Sequence, residues 1–436
     1  MPGTHISAVV LTVVLKIFAL QTQALLAPMR TAVQFLIILL GTGVTAACPE
    51  KCFCYSTLVD CRHIALQNIP PDVSPGTETL FLDGNSLVRI PRNAFGNLGN
   101  MSYLGLSSNR LLLRNYTFEP LLKLQALDLS ANHLLQLQET LLENLSNLTW
   151  LNLASNNLQR FPPMMSLAKL TYLDLSNNEL IVFQETFKHL PQLDTVFLNN
   201  NQLKALPATG FDQLFLLKVL DLSNNDLSSL PSRFFNKHRK LTDLRLDHNK
   251  LRNLTATLFS HLDDLQYLTI SGNAPVNFPP ELFSNLTKLL KLDLSSNSLT
   301  FLPKNFLSNL QQLQVLKLSD NFIGNLVADI FKCNPKLVYL HLDSNNLRTL
   351  PVFEGLQQLE ELTLSFNRLV EFPKEFGDNL VKLQCLQVND NLIRQWDSEG
   401  FQNVSSVILS NNPICLNRGH AARVESTNIE CTKKHC

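Results

Sequence analysis

Leucine recurs along this chain in one fixed frame, L-x-x-L-x-L-x-x-N-x-L, as at Leu289, Leu292, Leu294, Asn297 and Leu299. The segment LDLSSNSLTFLPKNFLSNLQQL at 292–313 has near copies in LDLSNNDLSSLPSRFFNKHRKL at 220–241 and LTLSFNRLVEFPKEFGDNLVKL at 362–383. The frame places an Asn fifteen times between Asn85 and Asn412, at intervals of 21 to 24 residues. In x-L-x-L-x the leucines alternate, so they point to one side of a short strand and the intervening residues to the other. One such unit cannot bury its leucines alone. Stacked units share a continuous core and line up their strands as a parallel sheet.

The Asn column reads as structural. Its amide donates and accepts, which suits a turn whose backbone groups would otherwise be buried unpaired. Phe95, Phe211, Phe235, Phe259, Phe283 and Phe331 each follow an Asn by ten residues and are expected to stack as a spine under the convex side. Trp396 stands at a leucine place and is expected in the core.

The fuller form L-x-x-L-x-L-x-x-N-x-L-x-x-L-P-x-x-x-F-x-x-L-x-x resembles the "typical" subfamily of extracellular leucine-rich repeat proteins, over residues 48 to about 436. The resemblance implies an α/β solenoid: a leucine-rich repeat horseshoe with a concave parallel β-sheet and disulfide-stapled end caps. A length of 436 residues would by itself suggest roughly three domains, but stacked repeats form one elongated body.

Nine cysteines group at the two ends of the array, with Cys333 and Cys385 inside it. Such clustering points to stapled caps and an oxidising compartment; a zinc site is the rival reading for the first four. The segment ACPEKCFCYSTLVDC resembles the family's N-terminal cap, which implies Cys48–Cys54 and Cys52–Cys61. At the far end Cys415–Cys431 is expected, leaving Cys436 for a disulfide-linked partner chain. Cys333 and Cys385 fall two repeats apart and on different sides of the coil. They are expected not to pair, with Cys385 facing the concave solvent.

From Met29, MRTAVQFLIILLGTGVTAAC has a basic start, an apolar run and small residues before Cys48, the layout of a cleavable signal peptide. The alternative is a retained apolar anchor, since ~20 such residues span a bilayer; membrane association is expected only in that case. No apolar stretch follows the last repeat, so neither a C-terminal transmembrane helix nor a lipid-anchor tail is expected. The organisation expected is therefore an upstream extension plus signal peptide (1–47), an N-terminal cysteine cap (48–76), about fifteen repeats (77–414) and a short C-terminal cysteine-containing cap (415–436). Seven N-x-S/T acceptors, at Asn100, Asn115, Asn144, Asn147, Asn253, Asn285 and Asn403, fit a secreted glycoprotein.

Charge narrows the partners. With 36 basic and 36 acidic residues, nothing favours capture of nucleic acid or an anionic membrane. No catalytic motif stands out, and no cofactor or metal is expected. His341 lies two residues from Asp343, but such a pairing on one strand is far more often a surface contact than a dyad. Asp128, Asp174, Asp221 and Asp293 recur in L-D-L-S-x-N, which is repeat consensus rather than a calcium array. The reading is therefore of a non-enzymatic binding protein.

The residues at the third, fifth and seventh places of each repeat are expected on the concave face. There the early repeats carry Phe81, Tyr103, Trp150, Tyr172 and Phe197. Later repeats interleave Arg245, Lys291, Lys317 and His341 with Asp243, Asp247 and Asp343. Exposed rings favour a protein interface, although bulky residues can also merely shield a sheet. The chain is thus expected to be a secreted, extracellular binding protein taking a protein ligand on its concave face through Phe81, Tyr103, Trp150, Tyr172, Phe197, Arg245, Lys317 and His341. The alternatives are a regulatory or stabilising subunit of a secreted enzyme, as in the carboxypeptidase N regulatory subunit, and an innate-immune pattern-recognition protein of the Toll-ectodomain kind. Slit-type proteins share the same build.

Overall fold

The computed structural model describes residues 48–182, 186–274, 278–396, 401, 404–416 and 429–431. The chain divides into two compact units, Met1–Cys48 and Pro49–Cys436, and all secondary structure among the described residues lies in the second. The expected signal peptide lies outside the described residues, as do Asn403 and Cys436.

Each repeat contributes a three-residue strand centred on the second leucine of L-x-x-L-x-L. Strand β1 (Phe53–Tyr55) runs antiparallel to β2 (Leu58–Asp60). From β2 the sheet continues parallel through β3 (Thr79–Phe81), one strand per repeat, to β17 (Ser406–Ile408) and β18 (Ile429–Glu430). The register keeps like places side by side. Leu268, Leu292 and Leu316 are consecutive partners, and so are Tyr267, Lys291 and Val315. The leucines behind the strands are almost wholly inaccessible and form one continuous core. Turns make most of the return connections. Regular helix among the described residues is confined to a 3-10 turn at Thr186–His189 and a four-residue α-helix at Pro413–Leu416.

The Asn column closes each turn as its chemistry requires. Asn321 donates from Nδ2 to the carbonyls of Leu294, Leu318 and Ser319 at 3.0, 3.0 and 3.1 Å. Its Oδ1 accepts from the amide of Leu299 at 3.1 Å. One side chain therefore satisfies backbone groups of two successive repeats. The residue just before each Asn is left-handed, for example Ser108 (φ 54°), Asn224 (φ 53°), Asp320 (φ 55°) and even Phe366 (φ 56°). Non-glycine residues seldom adopt this conformation. It is held here because the amide of that residue donates to the next repeat, as from Asp320 to Asp343 at 2.9 Å.

The phenylalanine spine is present and longer than the ten-residue rule indicates. Phe187 and Phe211 lie 4.6 Å apart between centroids, Phe259 and Phe283 6.3 Å, and Phe353 and Phe376 5.6 Å. Phe118, Phe187 and Phe353 join it from positions eight or nine residues after an Asn in repeats of 22 or 23 residues, and Phe306 and Phe376 join it from position nine in repeats of the full 24. A fully buried histidine, His238, packs beside Phe234 and Phe235, with Nε2 3.1 Å from the carbonyl of Phe211. Trp396 is only partly buried. It stacks at 4.7 Å on Phe401 and meets Phe372 edge-on at 5.4 Å.

Both ends are stapled by disulfides. Cys52–Cys61 joins the residue before β1 to the residue after β2, with Cα atoms 4.4 Å apart, and Cys415–Cys431 ties the residue after β18 to the last repeat at 5.7 Å. Cys48 and Cys54 are also disulfide-bonded, as the implied Cys48–Cys54 pairing requires. Cys333 is exposed and free, so it does not pair with Cys385. The expectation that Cys385 faces solvent is corrected: it holds the third strand place but is buried and disulfide-bonded.

Candidate functional site

The strands place two kinds of surface on the solvent side of the sheet. In the early repeats the rings are neighbours. Phe81 and Tyr103 lie 5.0 Å apart, Trp150 and Tyr172 stack at 5.3 Å with 15° between planes, and Tyr172 and Phe197 lie 5.7 Å apart. Trp150 and Tyr172 occupy the same place on adjacent strands, and Phe197 enters from the fifth place of the next. Phe81, Trp150, Tyr172 and Phe197 are half-buried. Tyr103 departs from its expected exposure, with only 8% of its surface accessible.

The cap explains the burial at this end of the face. Arg62 is held by Asp60 through bonds of 2.8 and 2.6 Å, and its guanidinium lies 4.5 Å above the Phe81 ring. Phe81 in turn leans on Tyr103. Beside it, Asp83 lies over Gly105: a Cβ there would stand 2.5 Å from the carboxylate, so a larger residue would push Asp83 aside. Asp83 accepts from the amide and hydroxyl of Ser107, both at 2.8 Å. Arg62 precedes the first Asn of the repeat frame, which hides its part in this face from a reading of the repeats alone.

Between Tyr103 and Trp150 the third place is Ala126, so the far side of the indole looks across a small residue. On the same strand Asp128 is buried and accepts from the amide and hydroxyl of Ser130 at 2.9 and 2.6 Å. Burial pushes its carboxyl up to about 6, with the nearby charge of Asp83 in the same direction. Burial likewise raises Asp83, Asp174 and Asp221 above the usual carboxylate range, and the phenols of Tyr103 and Tyr172 above theirs. Tyr172 donates to Asp174 at 3.4 Å.

The later repeats are charged, and the stacking expected of like places holds. Arg245 reaches Asp221 on the preceding strand at 3.6 Å and Asp243 at 2.9 Å; Lys317 reaches Asp293 at 4.0 Å. The bonds that Arg245 donates to Asp243 raise the pKa of its guanidinium. His341 turns to Thr363, 3.2 Å from its Nδ1, and Thr363 donates to Asp343. Burial lowers the His341 pKa. Two rings escaped the sequence reading: Tyr267 and Tyr339, at the same place as Trp150, are 43% and 39% exposed. They were legible in the column that identified Trp150.

Among the described residues no group of His, Cys, Asp and Glu is placed to hold a metal ion, and no helix is long and apolar enough to cross a membrane. Of the N-x-S/T acceptors, Asn100, Asn115, Asn144, Asn253 and Asn285 are exposed and Asn147 is half-buried.

A stacked parallel sheet with capped ends and varied side chains along one face defines a repeat scaffold built for contact. The family model "Leucine rich repeat" matches residues 75–134, 122–180, 182–227, 215–274, 265–323 and 311–369, and the chain belongs to the leucine-rich repeat family. Leucine-rich repeat-containing protein 24 of Mus musculus is 39% identical over 57 residues, 13% of this chain and 11% of that protein. Leucine-rich repeat-containing protein 3B of Homo sapiens is 32% identical over 99 residues, 22% of this chain and 38% of that protein. The matches thus span well under half of those relatives. A leucine-rich repeat protein of Leptospira interrogans superposes with a TM-score of 0.66 at 29% identity, covering 85% of this chain and 94% of that one. The Drosophila Toll–Spätzle complex gives 0.62 at 24% identity over 79% of this chain and 55% of that one, a likeness of fold.

Proposed function

We propose that this chain is a non-catalytic extracellular recognition protein that anchors a protein ligand on the early part of its concave sheet. The observation that carries this reading is the run of rings from Trp150 through Tyr172 to Phe197, at places where the repeat core needs no large apolar side chain. Trp and Tyr in such settings dominate binding energies once a partner desolvates them. Capped ends held by disulfides and several exposed N-x-S/T acceptors fit an oxidising, extracellular setting. Two proteins of like fold, Toll in complex with Spätzle and a plant peptide hormone receptor in complex with RGF2, lend the scaffold precedent. The test is a screen of the full secreted protein, displayed multivalently, against an array of extracellular protein domains. Each hit is then measured with Trp150→Ala. A hot-spot loss of ≥ 2 kcal/mol corresponds to about 30-fold weaker binding. Unchanged affinity for every hit contradicts the reading and moves the site to the charged repeats around Arg245 and Lys317.

A further inference from the structure

The early concave face sets carboxylates beside its rings, and a cation reaches some of them. Asp83 feels Arg62, and Asp221 is bridged by Arg245. Among the described residues no ion pair reaches Asp128 or Asp174, which flank the Trp150 strand on either side at the fifth place. Both are oriented by serine amides, Asp128 by Ser130 and Asp174 by Ser176 at 2.9 Å. Tyr172 covers one face of the Trp150 indole. On the other side stands Ala126, one strand spacing away at ~4.8 Å, which leaves a notch one residue wide beside Asp128.

We propose that this notch seats an arginine side chain from a basic segment of a protein partner, stacked on Trp150 and paired with Asp128 and Asp174. The proposal rests on the anchor reading above and names the chemistry of that anchor. A guanidinium is flat and weakly hydrated, and it binds an indole face within about 6 Å of the ring centroid while its N–H groups remain free to bond carboxylates. Asp128 lies diagonal to Trp150 on the adjacent strand, about 7–8 Å away, which an arginine spans, and Asp174 holds the same place two strands on, across Asn152. A neutral aromatic ligand would leave the buried Asp128 and the half-buried Asp174 without a cation, and an acidic one would be repelled. The cap already uses this geometry within the chain, where Arg62 stacks on Phe81 and pairs with Asp60. A charge-neutral chain makes such selectivity local rather than a consequence of overall attraction. Asp128 carries a proton more readily than an ordinary carboxyl, with its pKa about 6. Asp83, Tyr103 and Tyr172 lie near it and Asp174 two strands away, and Asp83 and Asp174 shift the same way. Protonation at acid pH therefore weakens the seat.

The experiment uses the full protein with Trp396→Phe, which leaves Trp150 as the sole indole, since the chain has two tryptophans. Its fluorescence is titrated with the peptide acetyl-Gly-Arg-Gly-Arg-Gly-amide and with the same peptide carrying citrulline for arginine. The expected result is at least tenfold tighter binding of the arginine peptide at pH 7.5, with the preference reduced at pH 5. Asp128→Asn combined with Asp174→Asn removes it. Ala126→Phe also removes it by filling the notch, at a strand place that accepts rings in neighbouring repeats, and so tests the seat if the double variant folds poorly. Equal binding of the two peptides, or a preference that survives both changes, overturns the proposal. If that happens while Trp150→Ala still abolishes binding of an extracellular domain, the seat is wrong and the anchor stands. If Trp150→Ala leaves that binding unchanged, the anchor reading itself falls.

Discussion

Asp221 and Arg245, one repeat apart, meet at 3.6 Å across adjacent parallel strands. Their contact shows that the repeat frame read from leucine and asparagine positions is the frame of the folded chain, because equivalent places become spatial neighbours. The same rule brings Trp150 against Tyr172. Lys317 and Asp293 repeat the arrangement at 4.0 Å with both side chains reaching solvent; such pairs contribute only ~0.2–1 kcal/mol, so Lys317→Ala should shift the melting temperature little. Thermal denaturation beside wild type checks this, and a loss of many degrees would contradict a surface role for Lys317.

The two tryptophans should behave oppositely. Trp150 lies on the solvent side of the sheet, whereas Trp396 packs on Phe372 and Phe401. Trp396→Ala should cost roughly 2–4 kcal/mol by opening space in the last repeats, somewhat below the ~3–5 kcal/mol of a fully buried ring. Trp150→Ala should stay within about 1 kcal/mol. Denaturant unfolding followed by circular dichroism separates the two, and a larger loss for Trp150 would mean that its ring supports the fold.

Asp128 should make stability fall toward alkaline pH. Its folded pKa of about 6 lies above the ~3.9 of an unfolded Asp, so the folded state prefers the protonated form. Its favourable contribution is present below ~3.9 and is lost as pH rises through about 6. Asp128→Asn mimics the neutral carboxyl and should raise the melting temperature at pH 7.5. The gain is bounded by roughly 3 kcal/mol, at 1.36 kcal/mol per pH unit. At pH 4 the variant should differ little. Melting curves of both proteins at the two pH values decide it; equal gains at both would show that charge is not the cause.

The thiols divide cleanly. Alkylation of the native protein without reductant should label Cys333 and leave Cys52, Cys61, Cys415 and Cys431 unmodified. Peptide mass mapping reads this directly. Label at Cys52 or Cys61 in folded protein would contradict the N-terminal staple.

Much of the architecture was legible because the repeat reports itself fifteen times. The strand places, the Asn bonds and the end staples all follow from local chemistry repeated in register. What escaped depends on contacts between unlike positions. Tyr103 was assigned to solvent by its place, but the rings and carboxylates around it bury it. Cys385 has the same outward place and is drawn into a disulfide that spacing alone does not reveal. The left-handed residue before each Asn carries no compositional mark, since Ser, Ala, Asn, His, Asp and Phe all occupy it. Phe118 and Phe187 left the ten-residue column because their return segments are shorter, although the core still receives their rings.

If ligands meet the early concave sheet, a single glycan added there should block them. Asn152 lies on the Trp150 strand and faces the same side. Ala154→Thr turns Asn152-Leu153-Ala154 into an N-x-T acceptor, so that secretion from a glycosylating host places a bulky sugar in the middle of the aromatic face. Glycan occupancy at Asn152 is verified by mass spectrometry. Binding to the extracellular domain found in the screen is then measured before and after enzymatic removal of the sugar. The glycan should abolish binding and its removal should restore it. Full binding with Asn152 occupied would contradict a ligand site on this face.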